Sequence, residues 1–379
     1  MKKIDLTESR YHRQELITWW DQQRLRDSKV LVVGAGAIGN EVVKNLALVG
    51  VGSITVIDMD TIEHSNLARC VFFREEDEGR NKAEVLAAKA RDLNPEISTQ
   101  SHSFPVQRLG IAGLREFDIV IGALDNREAR AWVNQAVRKL GGFWIDAAIE
   151  GLRGVVRTFG PDGPCYECTL SEADYKIMSH RRSCALLAPE EMLSGKTPTN
   201  STTAGIVAGV QVQEAIKFLV GREDLLALVG KCWVYTGDSM TTYVTNYQED
   251  EFCNAHDPYG DLVELDGATT LKSLVEASKD LLSDSPTAVD FEEDLIHLLP
   301  CSACESPDSS EKYRLRSSLS IGEGRCEGCG KELAGVIRNS FPIDDPIVDL
   351  QLKAFGFANQ DVVTIRSKET RVHFVLGGN

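Results

Sequence analysis

Val30-Leu31-Val32-Val33-Gly34-Ala35-Gly36-Ala37-Ile38-Gly39 decides the fold. Four aliphatic residues run into a glycine-rich turn, and Ile38 to Val49 then repeats apolar residues at helical spacing. Strand, tight turn and helix in that order open a βαβ unit. The glycines permit the turn and bring backbone amides at the helix N-terminus up to a phosphate. Ser53 to Ile57 forms the next strand, and Asp58 closes it nineteen residues after Gly39, where an acid accepts hydrogen bonds from ribose hydroxyls. These residues alone specify a nucleotide, and they suit a nicotinamide-dependent dehydrogenase as well as any other user of one.

Outward from this unit the alternation continues. Ala83, Leu86, Ala87, Ala90 and Leu93 keep helical spacing until Asn94-Pro95. Asp118 to Leu124 is a buried strand, a helix with Val133, Ala136, Val137 and Leu140 on one face follows, and Phe143 to Ile149 is another strand. The predicted class is therefore α/β: a Rossmann-like, doubly wound, mostly parallel sheet. Beyond Gly163 comes a polar, basic segment, Leu170 to Asn200, too long for an ordinary connection and so expected to be functional. A helix at Thr202 to Val220, with small residues Ala204, Gly205, Ala208 and Gly209 for close packing, and a hairpin at Lys231 to Tyr247 complete a first domain, residues 1–257 with an insertion at about 170–200. Residues 258–379 form a second, smaller domain: a linker, an amphipathic helix through Leu271, Leu274, Val275 and Leu282, a cysteine-rich stretch, and β-rich sequence from Asp361 to Leu376.

Forty-one Lys plus Arg against 57 Asp plus Glu leave a formal charge of −16, which gives nucleic acid and anionic membranes no electrostatic reason to bind. The acidity concentrates in residues 258–308, which hold twelve acids against two lysines. The N-terminus lacks the apolar core of a signal peptide and no stretch is apolar enough to span a membrane, so a cytoplasmic location is expected. In that setting the closely paired cysteines, seven of the ten, are read as metal ligands or catalysts rather than disulfides.

Asn66, Arg69 and Lys82 lie downstream of the Asp58 strand, and Asp125 ends a further strand. Ligands of such sheets bind at the carboxyl ends of strands. Two cations and a carboxylate able to hold magnesium suit a triphosphate better than a dinucleotide, because a triphosphate must be neutralised as pyrophosphate leaves. Each residue taken singly has a plainer reading, Asp125 as a helix N-cap, Arg69 and Lys82 as solvated charges. Their joint placement favours adenylyl transfer.

RYHRQ (10–14), VVGAGAIGNEVVKNLALVGVGSITVID (32–58), the Asp58–Asp60 pair, SNLAR (65–69), Lys82, LDN (124–126) and PCYECT (164–169) together resemble the ThiF/MoeB/HesA family, the ubiquitin-activating-like enzymes. The resemblance covers about residues 8–256. It implies that the protein uses ATP and Mg2+ to adenylate the C-terminal glycine of a ubiquitin-like or sulfur-carrier protein. By position it places Gly34, Gly36, Gly39, Asp58, Asp60, Asn66 and Asn126 at the nucleotide, Arg69 and Lys82 at the phosphates and Asp125 at magnesium. Arg13 would reach in from the second subunit of a homodimer.

Cys165-Tyr166-Glu167-Cys168 and Cys253-Asn254-Ala255-His256 make a Cys3His set with the spacing of a structural zinc site. The family usually has a second Cys pair there, so His256 is a departure. Cys301, Cys304, Cys326 and Cys329 form two CxxC pairs 21 residues apart, as in a zinc ribbon. The acidic residues around them favour protein docking over nucleic acid. The second domain is thus expected to be a small α+β zinc-ribbon module that, by analogy with appendages of bacterial ThiF-type proteins, recruits a conjugating enzyme; antiviral defence is a setting suggested by that analogy alone.

Cys184 follows His180-Arg181-Arg182-Ser183, whose positive charge favours the thiolate. Members of the family that pass cargo to a conjugating enzyme carry a cysteine in this interval, which makes Cys184 the candidate thioester residue. Cys70 and Cys232, in strand-like apolar contexts, are expected in the core. The alternatives are a sulfur-carrier adenylyltransferase that stops at the acyl-adenylate, a catalytically silent scaffold, and the dehydrogenase.

Overall fold

Strands that are apolar throughout must be covered on both faces. β1 (Lys29–Val33), β2 (Ser53–Ile57) and β4 (Ile119–Gly122) are buried along almost their whole length. In the computed structural model, which describes residues 9–175, 198–265, 269–304, 312–316 and 324–377, they lie at the centre of an eight-stranded sheet. Cys184 lies outside the described residues.

Two short helices, α1 (His12–Glu15) and α2 (Gln22–Asp27), precede β1. The sheet order is β3-β2-β1-β4-β5-β6-β7-β8, with β3 at Ser98–His102, β5 at Trp144–Glu150, β6 at Arg153–Phe159, β7 at Lys231–Thr236 and β8 at Thr241–Asn246. β3 through β5 pair in parallel; β6, β7 and β8 are antiparallel additions. The chain runs outward from β1 to β3 and then returns to place β4 on the other side of β1. The topological switch therefore falls between β1 and β4, and the ligand crevice of such sheets opens at the carboxyl ends there.

Helices α3 (Ala37–Val49), α4 (Lys82–Leu93), α5 (Arg127–Lys139) and α6 (Ser201–Leu219) are the remaining long elements of this unit. The predicted helices and strands are recovered to within a few residues at their ends. One expectation for α6 needs correction. Ala204 and Ala208 are fully buried, but Gly205 is half-buried and Gly209 exposed. The glycine that lets α6 approach the sheet is Gly154 of β6, where a β-carbon would come 2.3 Å from the Val207 side chain. Cys232 is buried on β7 as expected; Cys70 is buried too, but in a turn rather than a strand.

The described residues divide into two compact units. The first lies within Met1–Val106, Arg115–Ser171 and Gly195–Asp257; the second contains the chain from Pro258, and Gln107–Leu114 groups with it. The second unit is more than a ribbon. It has its own sheet, β11-β10-β13-β14-β9 with β12 beside β10, formed by β9 (Leu262–Leu265), β10 (Ala288–Leu298), β11 (Lys312–Leu315), β12 (Gly335–Pro342), β13 (Val362–Arg366) and β14 (Arg371–Leu376). Helix α7 (Leu271–Ser278) buries Leu271, Leu274 and Val275 in a core that includes Phe291, Phe341, Phe355 and Phe374. No helix among the described residues is long and apolar enough to cross a membrane.

Candidate nucleotide site and metal centres

The turn after β1 is built by two glycines that admit no side chain. Gly34 has φ +102°, and a β-carbon on it would lie 2.3 Å from the Ala123 carbonyl oxygen; one on Gly39 would lie 2.0 Å from the Gly34 carbonyl oxygen. These contacts seat the start of α3 against the end of β4. Gly36, at the N-cap of α3, differs: no atom lies within 4 Å of where its β-carbon would be. The α3 N-terminus thus faces open space, with backbone amides and the helix dipole available to an anion.

Asp58 braces this turn. Its Oδ2 accepts from the Ala35 amide at 2.7 Å and its Oδ1 from the Asp60 amide at 2.9 Å. Burial nonetheless raises its pKa against these hydrogen bonds and the Lys82 charge. Asn81 caps α4 through the Glu84 amide and donates to the Asp58 and Asp60 carbonyls, which delivers Lys82 to the same place. Lys82 Nζ lies 2.8 Å from Asp60 Oδ2, its side chain only 13% exposed. Burial opposes the ammonium, but the Asp60 hydrogen bond and the charges of Asp58, Asp60 and Asp125 outweigh it and hold the pKa above its ordinary value. Lys82 is therefore not a solvated surface charge.

Asp125 is exposed in the short connection between β4 and α5. The helix-capping role open to it in the sequence belongs instead to its neighbour: Asn126 Oδ1 accepts from the Ala129 amide at 2.7 Å. The Asp125 charge is among those that hold the Lys82 pKa up. Arg69 is half-buried and donates to the Ser65 carbonyl at 2.6 Å. Asn66 is buried, its Oδ1 accepting from the Glu63 amide at 2.9 Å, so it shapes the segment carrying Arg69. Beneath them Cys70, pushed up to about 11 chiefly by burial, feels the charges of Arg69, Lys82 and Asp58. Arg13 lies exposed on α1.

Four side chains missed in the sequence support the rim. Gln211 of α6 donates to the Gly122 and Ile145 carbonyls at 2.8 and 3.0 Å. Asp146, fully buried on β5, pairs with Arg130 and Arg157, each at 2.9 Å. In the sequence Gln211, Asp146 and Arg157 are polar letters within largely apolar runs, and only that interruption could have marked them, whereas Arg130 belongs to a polar helical stretch.

Both predicted cysteine sets assemble. Cys165, Cys168, Cys253 and His256 place their donor atoms within 4.8 Å of one another, as do Cys301, Cys304, Cys326 and Cys329. Sulfur–sulfur distances of 3.7 and 3.6 Å from Cys165 to Cys168 and Cys253, and 3.4 Å from Cys168 Sγ to His256 Nε2, match the edges of a tetrahedron. A zinc–sulfur bond of about 2.3 Å gives edges of about 3.8 Å. Behind the imidazole, Glu249 Oε1 is 3.3 Å from His256 Nδ1, an orienting carboxylate that the sequence reading did not find. Burial, then the Arg138 charge, lower the His256 pKa and favour the neutral ligand form. In the second set Cys301–Cys329 and Cys304–Cys326 are 3.7 and 3.4 Å apart, and the Ala303 amide leads in bringing the Cys301 thiol down to about 7. Both sets fit zinc.

A glycine turn at the switch of a mostly parallel sheet, met by carboxylates beyond neighbouring strand ends and by a largely covered lysine at the start of α4, defines a nucleotide-binding protein of the doubly wound α/β class. The chain belongs to the ThiF family, whose profile matches residues 10–255. It is 35% identical over 243 residues to the SAMP-activating enzyme E1 of Haloferax volcanii, covering 61% of this chain and 81% of that one. It is 34% identical over 224 residues to the sulfur carrier protein adenylyltransferase of Thermus thermophilus, 56% of this chain and 78% of the relative. Against ubiquitin-like modifier-activating enzyme 5 of Dictyostelium discoideum it is 29% identical, and the match spans 57% of that protein's length. Among solved structures, E. coli MccB with ATP superposes with a TM-score of 0.56 at 26% identity, over 66% of this chain and 75% of MccB. The protein is an E1-like adenylyltransferase.

Proposed function

We propose that the protein activates a ubiquitin-like protein: it adenylates the C-terminal carboxylate with ATP, transfers the acyl group to Cys184 as a thioester, and passes it to a conjugating enzyme. The observation that carries the first step is the convergence of Lys82 with Asp58, Asp60 and Asp125 beside the open α3 N-terminus. ATP lies with its phosphates at the Gly34–Gly39 turn and its ribose toward Asp58. Lys82 and Arg69 take the phosphates. Asp125 would hold a magnesium ion, which would supply charge neutralisation; such ions are bound through one or two carboxylates plus phosphates. A carboxylate oxygen of the modifier attacks the α-phosphorus in line, the bond to the bridging oxygen breaks, and pyrophosphate leaves. The cations stabilise charge on the equatorial oxygens, and no protein nucleophile takes part. The Cys184 thiolate then attacks the acyl carbonyl and AMP leaves. In a homodimer Arg13 of the second subunit completes the phosphate site, and the second unit docks the conjugating enzyme.

The likeness to a sulfur carrier protein adenylyltransferase favours a second reading, in which the protein stops at the acyl-adenylate. The two part on one experiment. The protein is incubated with MgATP and small β-grasp proteins ending in glycine, and ATP–pyrophosphate exchange is measured beside a dithiothreitol-sensitive adduct. Exchange with an adduct that Cys184→Ala abolishes establishes the first reading; exchange without any adduct establishes the second. Absence of exchange with every such protein refutes both. Asp125→Ala is expected to slow exchange roughly a hundredfold, as removal of one electrostatic group at a charged transition state does.

A further inference from the structure

Every fourth residue along α5 is polar and buried: Arg130, Asn134 and Arg138 are 7%, 1% and 8% exposed, in step with Asn126 at the N-cap. Burying such groups is costly unless each finds a partner, and each reaches off the helix to a different one. Asn126 Nδ2 lies 3.4 Å from Asp125 Oδ1. Arg130 donates from Nε to Asp146 Oδ1 at 2.9 Å, and from Nη2 to the Ala147 carbonyl at 3.1 Å and the Leu124 carbonyl. Asn134 Oδ1 accepts from the Tyr166 amide at 2.9 Å, and its Nδ2 reaches Cys165 Sγ at 3.4 Å. Arg138 donates to the Gly160 carbonyl at 3.0 Å and stands 3.9 Å from Glu249, the carboxylate behind His256. Arg157 closes the row from the sheet side, 2.9 Å from Asp146 and with its guanidinium 5.3 Å from the Tyr166 ring centroid.

One helix therefore joins Asp125 at its start to the Cys165–His256 ligand set along its length. Arg130 grips the carbonyl of Leu124, the residue directly before Asp125, and ties it to β5. We propose that Arg130 is a positioning residue for the magnesium–nucleotide site, and that the metal-bearing knuckle sets its position through Asn134 and Arg138. The inference rests on the reading of Asp125 as the magnesium carboxylate. Zinc bound at the knuckle supplies a rigid cross-link between the PCYECT loop and the end of the unit. The chain's own hydrogen bonds carry that rigidity to the β4–α5 corner, where an error in Asp125 placement is paid in metal affinity. Partners standing behind a metal ligand typically govern it by 10–100-fold.

The test uses full-length, zinc-loaded protein with Arg130→Lys, Asn134→Ala and Asp125→Ala. Three quantities are followed: the Mg2+ concentration giving half-maximal ATP–pyrophosphate exchange, ATP binding in EDTA, and hydrogen exchange of the amides from Leu124 to Arg127. Arg130→Lys keeps the charge but loses the fork, and is expected to raise the Mg2+ midpoint roughly tenfold or more. ATP binding in EDTA should stay as in the wild type, because the glycine turn is braced elsewhere. Asn134→Ala, and zinc removal from the wild type, should speed hydrogen exchange at the same amides, and Asn134→Ala should move the Mg2+ midpoint upward by a smaller factor. A wild-type Mg2+ midpoint in Arg130→Lys, or equal losses with and without Mg2+, overturns the proposal. If Arg130→Lys does not fold, Asn134→Ala decides by the same readouts, and unchanged exchange at the corner overturns it. A normal Mg2+ midpoint in Asp125→Ala refutes the reading of Asp125 itself, whatever Arg130 does.

Discussion

Alanine at Gly34 and alanine at Gly36 should fail in opposite ways. At Gly34 two costs combine. A φ of +102° is a conformation that L-residues rarely adopt, and left-handed backbone of this kind costs about 1–2 kcal/mol. The new methyl would sit 2.3 Å from the Ala123 carbonyl oxygen and 2.8 Å from its carbon, well inside contact distance. Relief requires β1 or β4 to shift, and overpacking of a filled interior costs about 1–3 kcal/mol. The sum, roughly 2–5 kcal/mol, is a large part of the 5–15 kcal/mol that holds a typical domain together. Gly36 has φ −74° and empty space around it; alanine there restricts the unfolded chain and stabilises by at most about 1 kcal/mol. It does, however, place a methyl where phosphate oxygens must approach the α3 amides, and loss of one charge-assisted hydrogen bond, about 1.5–3 kcal/mol, lowers ATP affinity tenfold or more. Tryptophan fluorescence during urea unfolding is the assay for the first effect, because Trp19, Trp20, Trp132, Trp144 and Trp233 all lie in the first unit. Titration with ATP is the assay for the second. Wild-type ATP affinity in Gly36→Ala, or a loss of stability there equal to that of Gly34→Ala, would refute the reasoning.

Native mass spectrometry should find two zinc ions per chain, with Cys253→Ser and Cys329→Ser each removing one; a single ion in the wild type rejects one of the two centres. Because zinc at such sites is worth about 10–16 kcal/mol of apparent binding energy, Cys253→Ser should also lower the unfolding midpoint seen by tryptophan, whereas Cys329→Ser should not. Asp361 in the second unit is pushed up to about 7 by burial, against the Ala358 amide that donates to it at 2.6 Å. Its folded form holds the proton more tightly than the unfolded chain, so the stability it contributes is complete below about pH 4 and is lost as pH rises through about 7. Hydrogen exchange of β13 and β14 should therefore quicken between pH 6 and 8 beyond its intrinsic rate, and Asp361→Asn should abolish the excess.

What could be foreseen follows from the range of the interactions involved. Periodicity and glycine punctuation are local, and they located β1, α3, β2, α4 and α6 because tertiary packing confirmed what neighbouring residues already preferred. The cysteine sets were legible for a related reason: paired CxxC knuckles are local, and tetrahedral chemistry allows few ways to join them. The buried polar groups were not legible. Arg130, Asn134 and Arg138 look like the solvated face of α5, since only the fold brings β5, Gly160 and Cys165 against them. Glu249 likewise belongs to a charged run, and its role appears only when His256 turns toward it. Asp125 shows the limit most clearly. The sequence allowed it to be an N-cap, and the assignment turned on a single hydrogen bond made by Asn126.

The charges gathered at the switch point also constrain what must be added for the reaction to run. Asp58, Asp60 and Asp125 carry three formal negative charges against two positive ones on Lys82 and Arg69, and Lys82 is already engaged with Asp60 at 2.8 Å. A triphosphate brought into this site meets a local surplus of negative charge, relieved only in part by the α3 dipole, which amounts to about half a unit charge. Adenylyl transfer makes the deficit worse as charge builds on the leaving pyrophosphate. Lys82 and Arg69 therefore cannot serve the transition state alone. On the proposed mechanism, a divalent ion at Asp125 would turn the excess carboxylate from a liability into a ligand, and Arg13 of a second subunit would add the remaining positive charge at the leaving oxygens. On this reasoning Arg13→Ala should leave ATP binding nearly intact while slowing pyrophosphate exchange, and mixing it with a Lys82→Ala protein should restore part of the activity through dimers that own one complete site. Failure of such mixtures to recover any exchange would mean that each chain supplies all its own cations, and the charge argument would fall.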